Sequence, residues 1–207
     1  MKNESTRGGR KISIPPTLLI SAIAKIDDVS RAVSLDAKRA GDLVYVIGDT
    51  AAELGGSEYF ALLGAVGNNC PKVDAEKAKA IYAKVAEATG AKIVNSLTTP
   101  ALGGLGIAFA KTAMGGRLGL KIALDKVPVT GKCSELEALF SESNSRFVAT
   151  VAPEKKAEFE KALAGITFAC VGEVTDSQTI EFSGNELNFN VGIADLVKSY
   201  KSTLDHI

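Results

Sequence analysis

Three polar or glycine-rich stretches hold the residues whose types and spacing could do chemistry. The first is L-G-G-S-E-Y-F, Leu54 to Phe60. Gly55 and Gly56, ahead of a hydroxyl (Ser57) and a carboxylate, let backbone amides approach an anion or a sugar, with Glu58 placed to bind a metal or a hydroxyl. The same residues also read as a tight turn into a short helix capped by Ser57, and the residue types favour that plainer reading. The second stretch is L-F-S-E-S-N-S-R-F, Leu139 to Phe147. Arg146 at the mouth of a strand would grip a phosphate in a bidentate fork, with Ser141, Ser143 and Ser145 adding hydrogen bonds. A plain ion pair between Glu142 and Arg146 across a helix-to-strand turn fits equally well. The third, N-S-L-T-T-P-A-L-G-G-L from Asn95 to Leu105, leads a strand into a helix N-terminus behind Gly103 and Gly104, which suits an anion. It contains no charged residue, so acid–base work has no carrier there and a packing role fits better.

The elements that must position these stretches follow from apolar periodicity. Thr17 to Ile26 and Leu43 to Ile47 are Ile-, Leu- and Val-rich runs bounded by Pro15-Pro16, Gly41 and Gly48, and read as buried strands. Asp74 caps a helix with Ala78, Ile81, Tyr82, Val85 and Ala88 at helical spacing, closed by Gly90. A second helix runs from Gly103-Gly104 through Leu105, Ala108, Phe109 and Ala113 to Gly115-Gly116. Strands are expected over Leu118 to Leu124, Arg146 to Val151 and Thr167 to Val174. Pro153 opens a charged helix ended by Gly165. Gln178 to Phe182 and Glu186 to Phe189 alternate around Ser183-Gly184-Asn185 as a hairpin, and Ile193, Leu196, Val197 and Tyr200 mark a last amphipathic helix. Strands and helices mix without strict βαβ alternation, which predicts one α+β domain over residues 12–207, a mixed sheet with helices packed on it. Residues 1–11 are polar and read as a flexible lead-in.

Composition narrows the function. At roughly 150 residues per domain, 207 residues make about one domain. The 24 Lys+Arg and 24 Asp+Glu cancel, and without Trp a stacking platform has little material, so a nucleic-acid partner is not expected. The apolar stretch Leu18 to Ala24 is far short of the ~20 residues a membrane span needs, so no membrane role is expected. Cys70, Cys133 and Cys170 have neither C-x-x-C spacing nor an even count, which argues against a disulfide framework or zinc site and for a cytoplasmic protein. The lone histidine, His206, lies next to the chain end, which leaves no histidine general base. P-loop, G-x-G-x-x-G, H-E-x-x-H and nucleophile-elbow motifs are absent.

In this order and spacing, the three stretches resemble the C-terminal half-domain of the aminoimidazole ribonucleotide synthase superfamily, above all its phosphoribosylformylglycinamidine synthase branch. The matching text is I-P-P-T-L-L-I-S at 14–21, E-L-G-G-S-E-Y at 53–59, G-G-L-G-I-A-F-A-K at 103–111, L-F-S-E-S-N-S-R-F at 139–147 and G-E-V-T-D at 172–176. The opening M-K-N resembles the end of the family's G-K-D-S-M-K-N, which leads into this domain from the preceding one. The resemblance implies purine biosynthesis: ATP activates the amide oxygen of formylglycinamide ribonucleotide, and glutamine-derived ammonia displaces phosphate to give an amidine. It also implies magnesium, N-terminal synthase domains that carry the metal ligands and most ATP contacts, and a glutaminase subunit or domain. Carried over by position, Gly55, Gly56, Ser57, Glu58, Ser141, Glu142, Ser143 and Arg146 would line a cleft shared with such an N-terminal domain, and no catalytic residue or metal ligand falls in this chain.

Where the family often has H-D-x-S-[DE]-G-G-L, this sequence has Thr98, Thr99 and Leu102 in place of the polar groups. That departure points to the second, non-catalytic half of the enzyme, inactive alone. A stand-alone binding or scaffold module of the same fold is the rival reading. Another superfamily reaction, on selenophosphate or in hydrogenase maturation, fits less well with the long match at 139–147. A domain whose partner is elsewhere should expose apolar surface, so a homodimer or weak self-association is expected.

Overall fold

The computed structural model describes residues 4–13 and 19–202. His206, Pro15-Pro16 and the start of the strand expected at Thr17 lie outside them. The chain divides into two compact units, Met1–Ala32 and Val33–Ile207. In the first, β1 (Glu4–Arg7) and β2 (Arg10–Ser13) pair antiparallel as a hairpin that begins within residues 1–11, expected as a flexible lead-in, and ends two residues beyond them. Residues 19–26 form no strand, contrary to the sequence expectation, and Leu19, Ile20 and Ile23 are exposed. Apolar composition satisfies no backbone hydrogen bond, and among the described residues this run pairs with no strand.

In the second unit the described residues form a seven-stranded mixed sheet ordered β4-β6-β3-β7-β5-β8-β9. Its strands are β3 (Leu43–Ile47), β4 (Ser96–Thr98), β5 (Gly119–Ala123), β6 (Phe147–Val151), β7 (Phe168–Thr175), β8 (Thr179–Ser183) and β9 (Asn188–Gly192). Every pairing is antiparallel except β5 with β8. The helices are α1 (Glu58–Leu62), α2 (Ala75–Gly90), α3 (Gly104–Gly116), α4 (Glu135–Phe140), α5 (Lys156–Ala162) and α6 (Ile193–Ser202). This is the α+β, helix-on-mixed-sheet architecture that the element pattern implies.

Strand β3 shows how the sequence builds two cores from one sheet. Its period-two alternation sends Val44 and Val46 to one face and Tyr45 and Ile47 to the other, all of them buried. The first face packs Leu105, Phe109 and Ala113 of α3 with Leu120, Ile122, Val148 and Val171. The second packs Ile81 and Val85 of α2 with Phe159 and Leu163. The Tyr45 and Phe159 rings meet edge-on at 4.8 Å, and the Tyr45 hydroxyl donates to Glu160 Oε1 at 2.8 Å, which gives a buried phenol its partner. Asp74 caps α2 as expected, its Oδ1 accepting from Lys77 N at 3.0 Å.

Candidate functional site

The site begins where β3 ends. Gly48 turns the chain at φ +89°, and a Cβ there would lie 2.7 Å from Ser145 O, so the 141–146 loop approaches the strand end as closely as it does because residue 48 is glycine. Beyond the turn, Asp49 to Glu53 run alongside that loop and are stitched to it. Ser143 Oγ accepts from Ala51 N at 3.1 Å, and Ser141 Oγ accepts from Glu53 N at 3.0 Å.

Arg146 holds the loop from inside. It is fully buried, and its guanidinium donates through Nε to Ser143 O (2.9 Å), through Nη1 to Thr50 Oγ1 (2.8 Å) and through Nη2 to Ser141 O (2.5 Å). The fork expected to grip a phosphate is therefore directed at the chain's own carbonyls. Burial draws the Arg146 pKa down to about 10, against the opposing influence of Glu53, Cys133 and Glu142, so the group stays cationic at neutral pH.

Glu142 has a different task from the ion pair considered with Arg146. Its Oε1 accepts from Glu58 N at 3.0 Å and from Gly103 N at 2.8 Å. One carboxylate thus sits at the first residue of α1 and at the residue preceding α3, where helix dipoles favour negative charge. The uncharged 95–105 stretch does receive an anion, and the anion comes from the 139–147 loop. Gly104, at φ +63°, lets α3 start against α4, since a Cβ there would come 2.5 Å from Ser141 O and 2.7 Å from Leu139 O.

All three stretches found in the sequence are thus brought together, but in unequal roles. Ser57 is a buried helix cap: its Oγ donates to Leu54 O at 2.6 Å and accepts from Phe60 N at 3.3 Å, the plainer of its two readings. A Cβ on Gly55 would come within 2.7 Å of the Asn69 backbone, so that glycine serves close packing. Gly56 has φ +71° with open space around it. The Glu58 carboxylate is exposed.

A cleft of about 180 Å³ lies beside this assembly, with Asp49, Glu53, Lys72, Lys77 and Ser143 to Ser145 on its walls. Lys77 pairs with Asp49, Glu53 Oε1 accepts from Lys72 N at 3.1 Å, and Tyr82 and Ser145 hydroxyls meet at 2.9 Å. Of the ligand residues expected from sequence, Ser143 and Ser145 line this cleft, while Ser141, Glu142 and Arg146 are engaged with the chain's own backbone beside it. Asp49, Thr50, Glu53 and Lys77 were not singled out from the sequence. The available signal was Gly48-Asp49-Thr50, a polar turn placed directly after a wholly apolar strand. The arrangement can bind and orient a polar ligand through serine hydroxyls and charges of both signs. Among the described residues no group of three or more His, Cys, Asp or Glu side chains is placed to hold a metal ion. No helix of the described residues is long and apolar enough to cross a membrane.

Comparison with known proteins identifies the family and the fold. The chain is 33% identical over 192 residues to the phosphoribosylformylglycinamidine synthase subunit PurL of Thermococcus sibiricus, covering 93% of this chain and 26% of that protein. It therefore spans about a quarter of the length of that curated relative. Among solved structures, Thermotoga maritima PurL complexed with FGAR superposes with a TM-score of 0.71 at 20% identity, over 81% of this chain and 29% of that one. Escherichia coli HypE gives 0.58 at 17% identity, over 78% and 52%. These two likenesses establish the shared fold. The model of the AIR synthase related protein, C-terminal domain, matches residues 39–185, and the chain belongs to that family.

Proposed function

We propose that this chain is a C-terminal synthase domain that supplies one wall of a ligand cleft shared with an N-terminal synthase domain, in the ligase making formylglycinamidine ribonucleotide from formylglycinamide ribonucleotide, ATP and glutamine-derived ammonia. The observation that carries the reading is the 33% identity to a PurL subunit across 93% of the chain. It is supported by the clasp of Glu142 on Glu58 N and Gly103 N, which fixes three loops into one wall.

In this reading ATP is a substrate whose terminal phosphoryl group converts the amide oxygen into a leaving group. The chain's own residues bind and orient. Arg146 sets the loop from within, Ser141 and Ser143 tie it to residues 51–53, and Ser143 to Ser145 face the cleft. Phosphoryl transfer rests on positioning, and one wall cannot position two substrates. The chain alone is then inactive, and N-terminal synthase domains supply the facing wall and any magnesium ligands. Further subunits, with a glutaminase supplying the ammonia, belong to the same reading, and the PurLQS structure from Thermotoga maritima is in keeping with a multi-component assembly. The replacement of the family's polar groups by Thr98, Thr99 and Leu102 supports assigning this wall to the non-catalytic half of the enzyme.

The test is a chimera in which this chain replaces the matching quarter of the Thermococcus sibiricus subunit. Substrate-dependent ADP formation with ammonium as nitrogen donor is the expected outcome, with the chain by itself giving none. A well-folded chimera that neither binds the ribonucleotide nor turns over would overturn the reading.

A further inference from the structure

A second cavity lies away from the cleft, between the C-terminal ends of α3 and α6, with a volume of about 440 Å³. That is within the range of roughly 300–1,000 Å³ typical of small-molecule sites. Its floor is apolar, with Met114, Val197 and the largely exposed ring of Tyr200, and its charged residues are Lys111, Arg117 and Lys201. None of these three cations has an ion pair with a described residue. The nearby carboxylate of Asp36 does not neutralise them, because it is paired with Lys38 at 2.5 Å.

Arg117 carries a second, independent signal. It ends α3 in the left-handed region at φ 56° and ψ 33°, a place normally filled by glycine. Gly115 and Gly116 stand directly before it, yet neither takes that conformation. They have their own reason to be glycine: a Cβ on Gly116 would collide with Ala37 O, and one on Gly115 would come 2.9 Å from the Asp36 Cβ. The strained position falls to an arginine whose guanidinium has no hydrogen-bond or ion-pair partner among the described residues, while its backbone carbonyl accepts from Gln178 Nε2. Strain of this kind with no structural return marks candidate functional positions.

We propose that this cavity binds a phosphate monoester carrying an aromatic or apolar body. The Arg117 fork and two ammonium groups meet the dianion, and Met114, Val197 and the Tyr200 ring receive the body. This site is independent of the cleft described above and of the reaction proposed for it.

The probe is 2-naphthyl phosphate, titrated into the ¹⁵N-labelled full chain, with inorganic phosphate and 2-naphthol as partial ligands. Saturable amide shifts at residues 115–117 and 197–201 are expected, with a Kd below about 1 mM and each partial ligand about tenfold weaker or worse. Arg117→Gly removes the fork while placing glycine where the backbone favours it, so the fold is kept and affinity should drop about tenfold. Lys121→Ala, a cation elsewhere on the sheet, should leave affinity unchanged. Absence of saturation, equal affinity in Arg117→Gly, or shifts centred on residues 143–145 would overturn the proposal.

Discussion

At the scale of single residues, two charged groups decide the local architecture of the site. Arg146 is buried with all its bonds to the chain, so truncation leaves Thr50 Oγ1 and two carbonyls without their donor and opens a cavity. Arg146→Ala is expected to cost about 3 kcal/mol or more of stability. Arg146→Lys should recover only part of this, since one ammonium cannot span three acceptors set for a planar fork. Urea denaturation checks both, and an Arg146→Ala protein within about 1 kcal/mol of the parent would contradict the account. Glu142 is the tie between loops. Glu142→Ala should cost about 1–3 kcal/mol and speed hydrogen exchange at the Glu58 and Gly103 amides specifically, because those are the donors it satisfies.

At the scale of elements, close approach and capping carry the argument. Gly104→Ala forces a Cβ against Ser141 O and Leu139 O at the junction of α3 and α4, in a backbone conformation that disfavours side chains. About 2–4 kcal/mol of destabilisation is expected in thermal melts. The β8–β9 hairpin is held by a carboxylate: Glu135 Oε1 accepts from Asn185 N at 2.6 Å, and Oε2 accepts from Glu186 N and Leu187 N at 2.9 and 2.8 Å. Burial raises the Glu135 pKa, but these three backbone donors outweigh it and the folded value lies below the ordinary 4.5. The stabilisation is therefore complete above about pH 4.5 and fades as the pH falls through the folded value. Glu135→Gln should destabilise more at pH 7 than at about pH 3, and an equal penalty at both would contradict this role.

Much of this level was legible in the sequence because periodicity and capping are local. Leu43–Ile47 alternates, Asp74 precedes helical spacing, and Gly184 marks a hairpin. Helix α4 is implied in the sequence only by the helix-to-strand turn at 142–146, and its bounds are not legible although Ser134 and Glu137 form a capping box, because six residues are too few to display a period. The run after Pro16 misled because burial of a strand depends on finding a sheet partner, which composition does not encode. At the site, that the 54–60 and 139–147 stretches share one cleft is implied by the family resemblance, not by their polarity. That Arg146 faces inward and Glu142 bridges two helix starts depends on contacts between residues up to 96 apart, such as Arg146 with Thr50.

At the scale of the whole molecule, the outer surface near the site carries large exposed apolar side chains. Leu62, at the end of α1, is 84% exposed, and Val66 and Leu102 in the neighbouring loops are 74% and 63% exposed. Such surface favours association. Concentration-dependent self-association is expected in light scattering, and Leu62→Lys with Leu102→Lys should reduce it. A strictly monomeric parent at high concentration would contradict this expectation.

The central claim is that this chain is one wall of a shared cleft. It is tested most directly by calorimetric titration with magnesium-ATP and formylglycinamide ribonucleotide, on the chain alone and on the chain mixed with the N-terminal synthase region of the Thermococcus sibiricus relative. No binding is expected in the first case and saturable binding in the second, lost when Arg146 is replaced by alanine. Micromolar binding by the chain alone would contradict it and identify a self-sufficient binding module.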